Sequence, residues 1–400
     1  MRPNPAPDVV VGGLPAPARL MPEGNSAAKA SGRVAGLDVL RFVAVSLVFF
    51  RHLQLPGTDY GWVNSGFEFL QRGGWVGVDL FFVLSGFLIS GLLFREWQKR
   101  KQVSVVRFLI RRGLKIYPAF WALMIYTGIY YAIAGPPDYY RTRYLVGELL
   151  FLQNYLGSLW AHTWSLAVEE HFYLLFAFCV AVAVRKSAGN GKEPFEFIPA
   201  FAVWVAGGCL AMRLLTAVVV PWYQGRLIMY ASHLRVDSLM FGVLISYLWH
   251  FHFAAGAQAV LRRMRFPLLG FGLLFLAPAF LYDHKDHRWI TIFGLTLFYL
   301  GAGCLLVGTL KALENKQGAV LRGISFLGAH SYSVYLWHVV ALALAQFLAV
   351  RIIGPARFWP LYSPLAFCLM WALGVGAAKL VEIPVLRLRD RWFPSAAPAV

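Results

Sequence analysis

The sequence predicts an all-α fold, a polytopic transmembrane helical bundle of about ten transmembrane helices with both termini cytoplasmic. Three observations predict it. First, of 400 residues 59% are hydrophobic and only 14% charged, with mean hydropathy +0.59, where a soluble chain would carry roughly 25% charge. Second, the apolar residues fall in blocks of about 20, the length a helix needs to cross a bilayer core. Third, Lys and Arg alternate in density between successive blocks, as the positive-inside rule requires.

Residues 1 to about 35 are rich in Pro, Ala and Gly and lack an apolar run of signal-peptide length. They read as a disordered cytoplasmic tail. Ten apolar blocks follow, near 37–55, 76–94, 114–134, 164–184, 197–218, 235–250, 267–282, 290–310, 326–350 and 362–381. With the N-terminus inside, the inner segments hold about 24 Lys and Arg and the outer segments 9. Every inner loop exceeds its outer neighbours. The transmembrane domain is therefore set at 36–388, with a short cytoplasmic tail at 389–400. The formal charge of +18 follows this topology, so no nucleic-acid partner is inferred; the partner that composition demands is a lipid bilayer. The four cysteines show no ligand-like spacing and read as small buried hydrophobes. No metal motif such as HExxH is present, and His284 and His287 read as solvated loop residues.

The first helix, GLDVLRFVAVSLVFFRH from Gly36 to His52, carries Arg41 and His52 eleven positions apart. At about 100° per residue they share one side, roughly 16 Å apart along the axis. Ionisable residues inside a membrane helix are costly and mark function.

Topology converts position to depth. Arg41 lies in the inner half and His52 in the outer half. The second helix runs inward, which puts Asp79 near its outer end. The fourth enters through HTWSLAVEEHFY, so Trp164, Ser165, Glu169 and Glu170 lie in the outer third, with Tyr173 below them. One histidine and up to three carboxylates thus share a layer. A carboxylate that holds a histidine's tautomer makes it a general base able to activate a hydroxyl. His338, in SYSVYLWH, falls nearer mid-membrane, and Asp237 reads as a helix cap. On the inner side RFLIRRGLKIYP sets Arg107, Arg111 and Lys115 along one helix face, beside Arg112 and Tyr117. Basic topology explains these cations, and a phosphate clamp explains them equally well. The outer loop 135–163, with its tyrosines and Trp160, reads as an interfacial aromatic belt or a sugar-stacking wall.

Several stretches together resemble one family. GLDVLRFVAVSLVFFRH resembles the Arg/Lys-X10-His helix that opens the acyltransferase family 3 membrane proteins. GVDLFFVLSGFLIS, RFLIRRGLKIYPAFW, HTWSLAVEEHFYLL, SYSVYLWH and EIPVLRL resemble that family's later signatures, in order, across residues 36 to 388. The resemblance implies an integral-membrane O-acyltransferase of a bacterial inner membrane. Such an enzyme moves an acyl group, often acetyl, from cytoplasmic acyl-CoA to a hydroxyl of a carbohydrate or glycolipid. It implies His52 as catalytic base, with Glu169, Glu170 or Asp79 beside it and Arg41 as a donor-side cation. It implies Arg107, Arg111, Arg112, Lys115 and Tyr117 around the CoA phosphates. Trp164, Ser165, Tyr173, Ser85 and His338 would line the substrate side, with Ser85 or His52 as the carrier of any covalent acyl group. Arg51 before His52 and His171 after the Glu pair depart from the family pattern. Some family members carry a C-terminal hydrolase-like domain; this chain is expected to lack one.

A transporter or exporter of a glycan or small molecule is the rival class, because it too places ionisable residues inside helices. No repeat relates the two halves, and the charged positions concentrate in the first, second and fourth helices.

Overall fold

The computed structural model describes residues 26–55, 58–137, 140–187, 193–220, 229–355 and 359–394, with side chains from residue 35 onward. Every regular element among the described residues is helical. Helix α1 spans Ser26–His52, α2 Gly61–Gly73, α3 Val76–Arg100 and α4 Val105–Ala134. Two short helices, α5 (Thr142–Leu149) and α6 (Gln153–Leu156), precede α7 (Trp164–Ser187) and α8 (Ile198–Val219). Then come α9 (Val236–Tyr247), α10 (Ala255–Arg263), α11 (Arg265–Leu281), α12 (Leu295–Ala312) and α13 (Ala319–Ala329). The chain closes with α14 (Ser331–Ile353), α15 (Trp359–Ala377) and α16 (Ile383–Trp392).

Among the described residues, seven helical stretches are long and apolar enough to cross a membrane. They correspond to the expected second to fifth, eighth and tenth blocks and to the greater part of the ninth. The other three fall short for visible reasons. Helix α1 carries Asp38, Arg41 and Arg51 in its apolar stretch. Helix α9 has 12 residues before a π turn at Leu248–His252. Helices α10 and α11 pass only as a pair bent by 63°. Two boundaries also move. The expected ninth helix breaks at His330, between α13 and α14. The tenth continues through a π segment at Ala378–Glu382 into α16, so the tail boundary expected at 388 falls inside a helix. Of the expected N-terminal tail, residues 1–25 lie outside the described residues and α1 begins at Ser26.

Helix α3 is the centre of the bundle, packed by α1, α9 and α12. Its crossing with α9 is set by two glycines. A Cβ on Gly86 would lie 1.9 Å from the Leu239 carbonyl oxygen, and one on Gly242 2.1 Å from that of Val83. Only glycine lets the two backbones approach this closely. Two ion pairs are buried beside the crossing, Arg235–Asp79 at 2.9 Å and Arg213–Asp237 at 2.5 Å. Asp237, expected as a cap, is instead the second residue of α9, whose N-cap position is Arg235, and its carboxylate pairs with Arg213.

The loop between α4 and α7 is knit by Glu148. One carboxyl oxygen accepts from the backbone N–H groups of Leu159 and Trp160 and from the Thr163 hydroxyl, at 3.0, 3.2 and 2.9 Å. Trp160, read from sequence as interfacial or sugar-stacking, donates its indole N–H to Thr127 of α4 at 2.8 Å. Glu148 is fully buried and lies outside the membrane-spanning helices. Burial pushes its carboxyl up to about 7 against the three hydrogen bonds that lower it.

Candidate active site

A cavity of about 550 Å³ opens among α1, α3, α4, α7, α14 and α16. Its size is that of a small-molecule site. Seven cations line it: Arg41, Arg95, Arg107, Arg111, Arg112, Lys115 and Arg389. Several of these cations are held by acids. Arg107 pairs with Glu96 at 2.8 Å and Arg41 with Asp38 at 2.5 Å. Arg111 pairs with Asp390 at 2.9 Å and also donates to the Phe393 carbonyl, which ties α4 to the C-terminal helix. Forked guanidinium groups in such number suit a polyanion such as a chain of phosphates.

Three further side chains of the lining form a string. The Ser85 and Tyr173 hydroxyls are 2.6 Å apart, and Tyr173 donates to Glu169 at 2.6 Å. The Arg112 guanidinium lies 5.7 Å from the Tyr173 ring centroid. The cavity also reaches Ser165 and Tyr335, whose hydroxyls meet at 2.7 Å. Tyr335 donates in turn to the His162 backbone carbonyl at 2.6 Å.

His52 does not line this cavity. Its ring centroid is 5.1 Å from that of His338, which is 4.8 Å from that of His162. His162 and His338 both pack edge-on or tilted against the Tyr335 ring, at 5.6 and 5.7 Å. Tyr335 therefore has one surface in the cavity and another against the histidines. His52 is the exposed member of the cluster, and the other two are buried.

The expected layer of a histidine with carboxylates is corrected. Among the described residues no Asp or Glu forms an ion pair or hydrogen bond with His52. Asp79 is committed to Arg235, and Glu170 accepts from Tyr117 at 2.8 Å, outside the cavity lining. Glu169 faces the cavity but binds Tyr173. Trp164, expected on the substrate side, is core: it stacks on Tyr230 at 4.7 Å and meets Phe82 edge-on. His171 turns away to the Ser232 hydroxyl at 2.6 Å. His284, read as solvated, is buried against Trp75. Arg51 donates to the Gln71 carbonyl at 3.1 Å. By contrast Arg41, Arg107, Arg111, Arg112, Lys115, Ser85, Ser165, Glu169 and Tyr173 do share one cavity.

Sequence reading missed His162, Tyr335, Arg95 and Arg389. His162 and Tyr335 stand inside stretches already singled out, HTWSL and SYSVYLWH, where their neighbours drew the notice. The last two motifs also meet: Ser333 donates to Glu382 at 2.6 Å.

Together the fold and the cavity define a class, a helical membrane protein with a cavity lined by cations and hydroxyls. The acyltransferase-domain family profile matches residues 34–375, and the chain belongs to that family, acyltransferase family 3. The chain is 25% identical over 336 residues to the peptidoglycan O-acetyltransferase OatA of Listeria monocytogenes, covering 78% of this chain and 50% of that protein. It is 24% identical over 333 residues to the putative O-acetyltransferase SACOL0978 of Staphylococcus aureus, covering 78% and 51%. It is 24% identical over 351 residues to the putative peptidoglycan O-acetyltransferase YrhL of Bacillus subtilis, covering 82% and 51%. The chain thus spans about half the length of these curated relatives. No solved structure matches it.

Proposed function

We propose that the chain is an O-acyltransferase of a bacterial cytoplasmic membrane. It takes an acyl group, acetyl in the first instance, from cytoplasmic acyl-CoA and gives it to a hydroxyl of a carbohydrate acceptor. Both termini are then cytoplasmic, as the excess of Lys and Arg on that side supports. The names of the relatives point to peptidoglycan as the acceptor class. The observation that carries the reading is a single cavity lined both by seven cations and by the hydroxyls of Ser85, Ser165, Tyr173 and Tyr335.

In this account Arg107, Arg111, Arg112, Lys115 and Arg389 hold the phosphates of the donor. The pantetheine extends past Arg41 and Glu169 and brings the thioester to the Ser165–Tyr335 wall. For direct transfer the thioester must pass that wall to meet the acceptor at His52. His52 takes the proton of the acceptor hydroxyl as its oxygen attacks the thioester carbonyl. The C–O bond forms, the C–S bond breaks, and His52 returns the proton to the sulfur.

One observation favours a second reading, a covalent acyl group on Ser85. Its hydroxyl touches Tyr173, which touches Glu169, inside the donor cavity. That string offers a route for the serine proton as Ser85 attacks the thioester. Incubation with acetyl-CoA without acceptor, followed by intact mass, separates the two. One added acetyl group, lost in Ser85→Ala, supports the covalent route. Acetyl transfer without any protein-bound acetyl supports the direct one.

The test of the function itself is acceptor-dependent transfer from labelled acetyl-CoA by the full chain in nanodiscs. Transport of a glycan with neither CoA binding nor thiol release would contradict it and favour the exporter reading.

A further inference from the structure

The structure leaves His52 without the carboxylate that a general base ordinarily has behind it, and puts two buried histidines there instead. Their tautomers are set by adjacent carbonyls of one helix. A carbonyl oxygen only accepts, so each nitrogen facing one carries the proton. His338 donates from Nδ1 to the Tyr335 carbonyl at 2.6 Å, and His162 donates from Nε2 to the Leu336 carbonyl at 3.2 Å. The remaining nitrogens, His338 Nε2 and His162 Nδ1, are then bare acceptors. Both are buried, and neither has a hydrogen-bond partner. An orphaned buried acceptor costs stability and calls for an explanation. Here two of them occur in rings 4.8 Å apart, one of which lies 5.1 Å from His52.

We propose that His338 is the positioning partner of His52. This rests on the reading of His52 as the base in acyl transfer. In the working enzyme the bare Nε2 of His338 accepts the N–H of His52, directly or through one water. That contact fixes the His52 tautomer and turns its other nitrogen, without a proton, toward the acceptor. When His52 takes the hydroxyl proton, its imidazolium shares its charge along the N–H to His338. The proton then passes from His52 to the departing sulfur, so the products are the acyl ester and the CoA thiol. The charged group facing the cluster is Arg51, held on the Gln71 carbonyl. A neutral imidazole partner fixes the His52 tautomer as an acid does elsewhere, but brings no negative charge to set against Arg51. Because Tyr335 both lines the donor cavity and orients His338 through its carbonyl, arrival of the donor and aim of the base are coupled through one residue.

The two histidines permit an asymmetric test. His338→Asn keeps a donor at the Nδ1 position for the Tyr335 carbonyl but removes the Nε2 acceptor. His338→Gln presents an amide oxygen near the Nε2 position and gives up the Tyr335 contact. Both are assayed in nanodiscs with acetyl-CoA and glycan acceptor, beside wild type, for kcat, KM, acetyl-CoA Kd and thermal stability. The proposal expects His338→Asn to fold, to bind acetyl-CoA as wild type does, and to lose about 10²-fold in kcat with little change in KM. It expects His338→Gln to recover part of that loss. A His338→Asn protein with wild-type kcat would overturn the proposal. Equal losses in both variants that track lowered stability would overturn it too, by making His338 a packing residue. A wild-type protein that transfers no acetyl group would overturn the underlying function, and the positioning role with it. A wild-type protein that transfers while His52→Ala stays active would remove the base and leave donor binding standing.

Discussion

Asp79 is paired with Arg235 at 2.9 Å, both side chains buried, and neither a hydrogen bond nor an ion pair joins it to His52 among the described residues. A second pair, Arg213–Asp237, lies close enough to act on it electrostatically. These four charges fasten α3, α8 and α9 where the Gly86–Gly242 crossing has no side chains to fasten them.

Asp79→Ala should therefore fail through folding rather than chemistry. It leaves a buried guanidinium alone, which costs about 3–5 kcal/mol. The measurement is thermal stability and yield of detergent-purified protein. The double replacement Asp79→Leu with Arg235→Met should restore most of the loss, because both charges go together. A stable but inactive Asp79→Ala protein would return Asp79 to the catalytic set.

Arg389 should contribute to donor affinity although it lies on the last helix. A charge-assisted hydrogen bond of this kind is worth about 1.5–3 kcal/mol. Arg389→Ala should thus weaken CoA binding roughly tenfold or more, read by calorimetry. Bare pantetheine, which lacks the nucleotide phosphates, should not distinguish mutant from wild type. Unchanged CoA affinity would place the phosphates elsewhere.

Glu148 predicts a pH dependence of stability. Its carboxyl sits at about 7 in the fold against 4.5 for the free group. The folded state therefore holds a proton that the unfolded chain releases, and stability falls as pH rises from about 4.5 to 7. The full effect is ~3 kcal/mol. Glu148→Gln mimics the protonated form and should flatten that slope, matching wild type near pH 4 and exceeding it above pH 7. Thermal denaturation across this range reads the difference, and parallel slopes would contradict the assignment.

The helices were legible in the sequence because bilayer length and apolarity leave few alternatives. The spacing of Arg41 and His52 on one helix was legible as well, although Arg41 opens on the cavity and His52 stands beyond its wall. What depth could not convey is azimuth. Asp79 and Glu169 both belong to helices that enter from the side of His52, yet rotation about those helices turns one to Arg235 and the other to Tyr173. The histidine cluster was hidden for the same reason: it exists only because the turn at Ala161–Thr163, just before α7, meets α14. Arg389 was hidden by distance along the chain. Its neighbour Asp390 meets Arg111 across 279 positions, a contact no local pattern announces.

The most direct measurement is release of free CoA by the purified chain in nanodiscs, with acetyl-CoA and a panel of peptidoglycan fragments and other glycans, wild type beside His52→Ala. If His52 is the base of acetyl transfer, wild type releases CoA only with an acceptor and His52→Ala does not, with acetyl-CoA binding retained in both. Full release by a correctly inserted His52→Ala protein, or no acetyl-CoA binding by either, would contradict it.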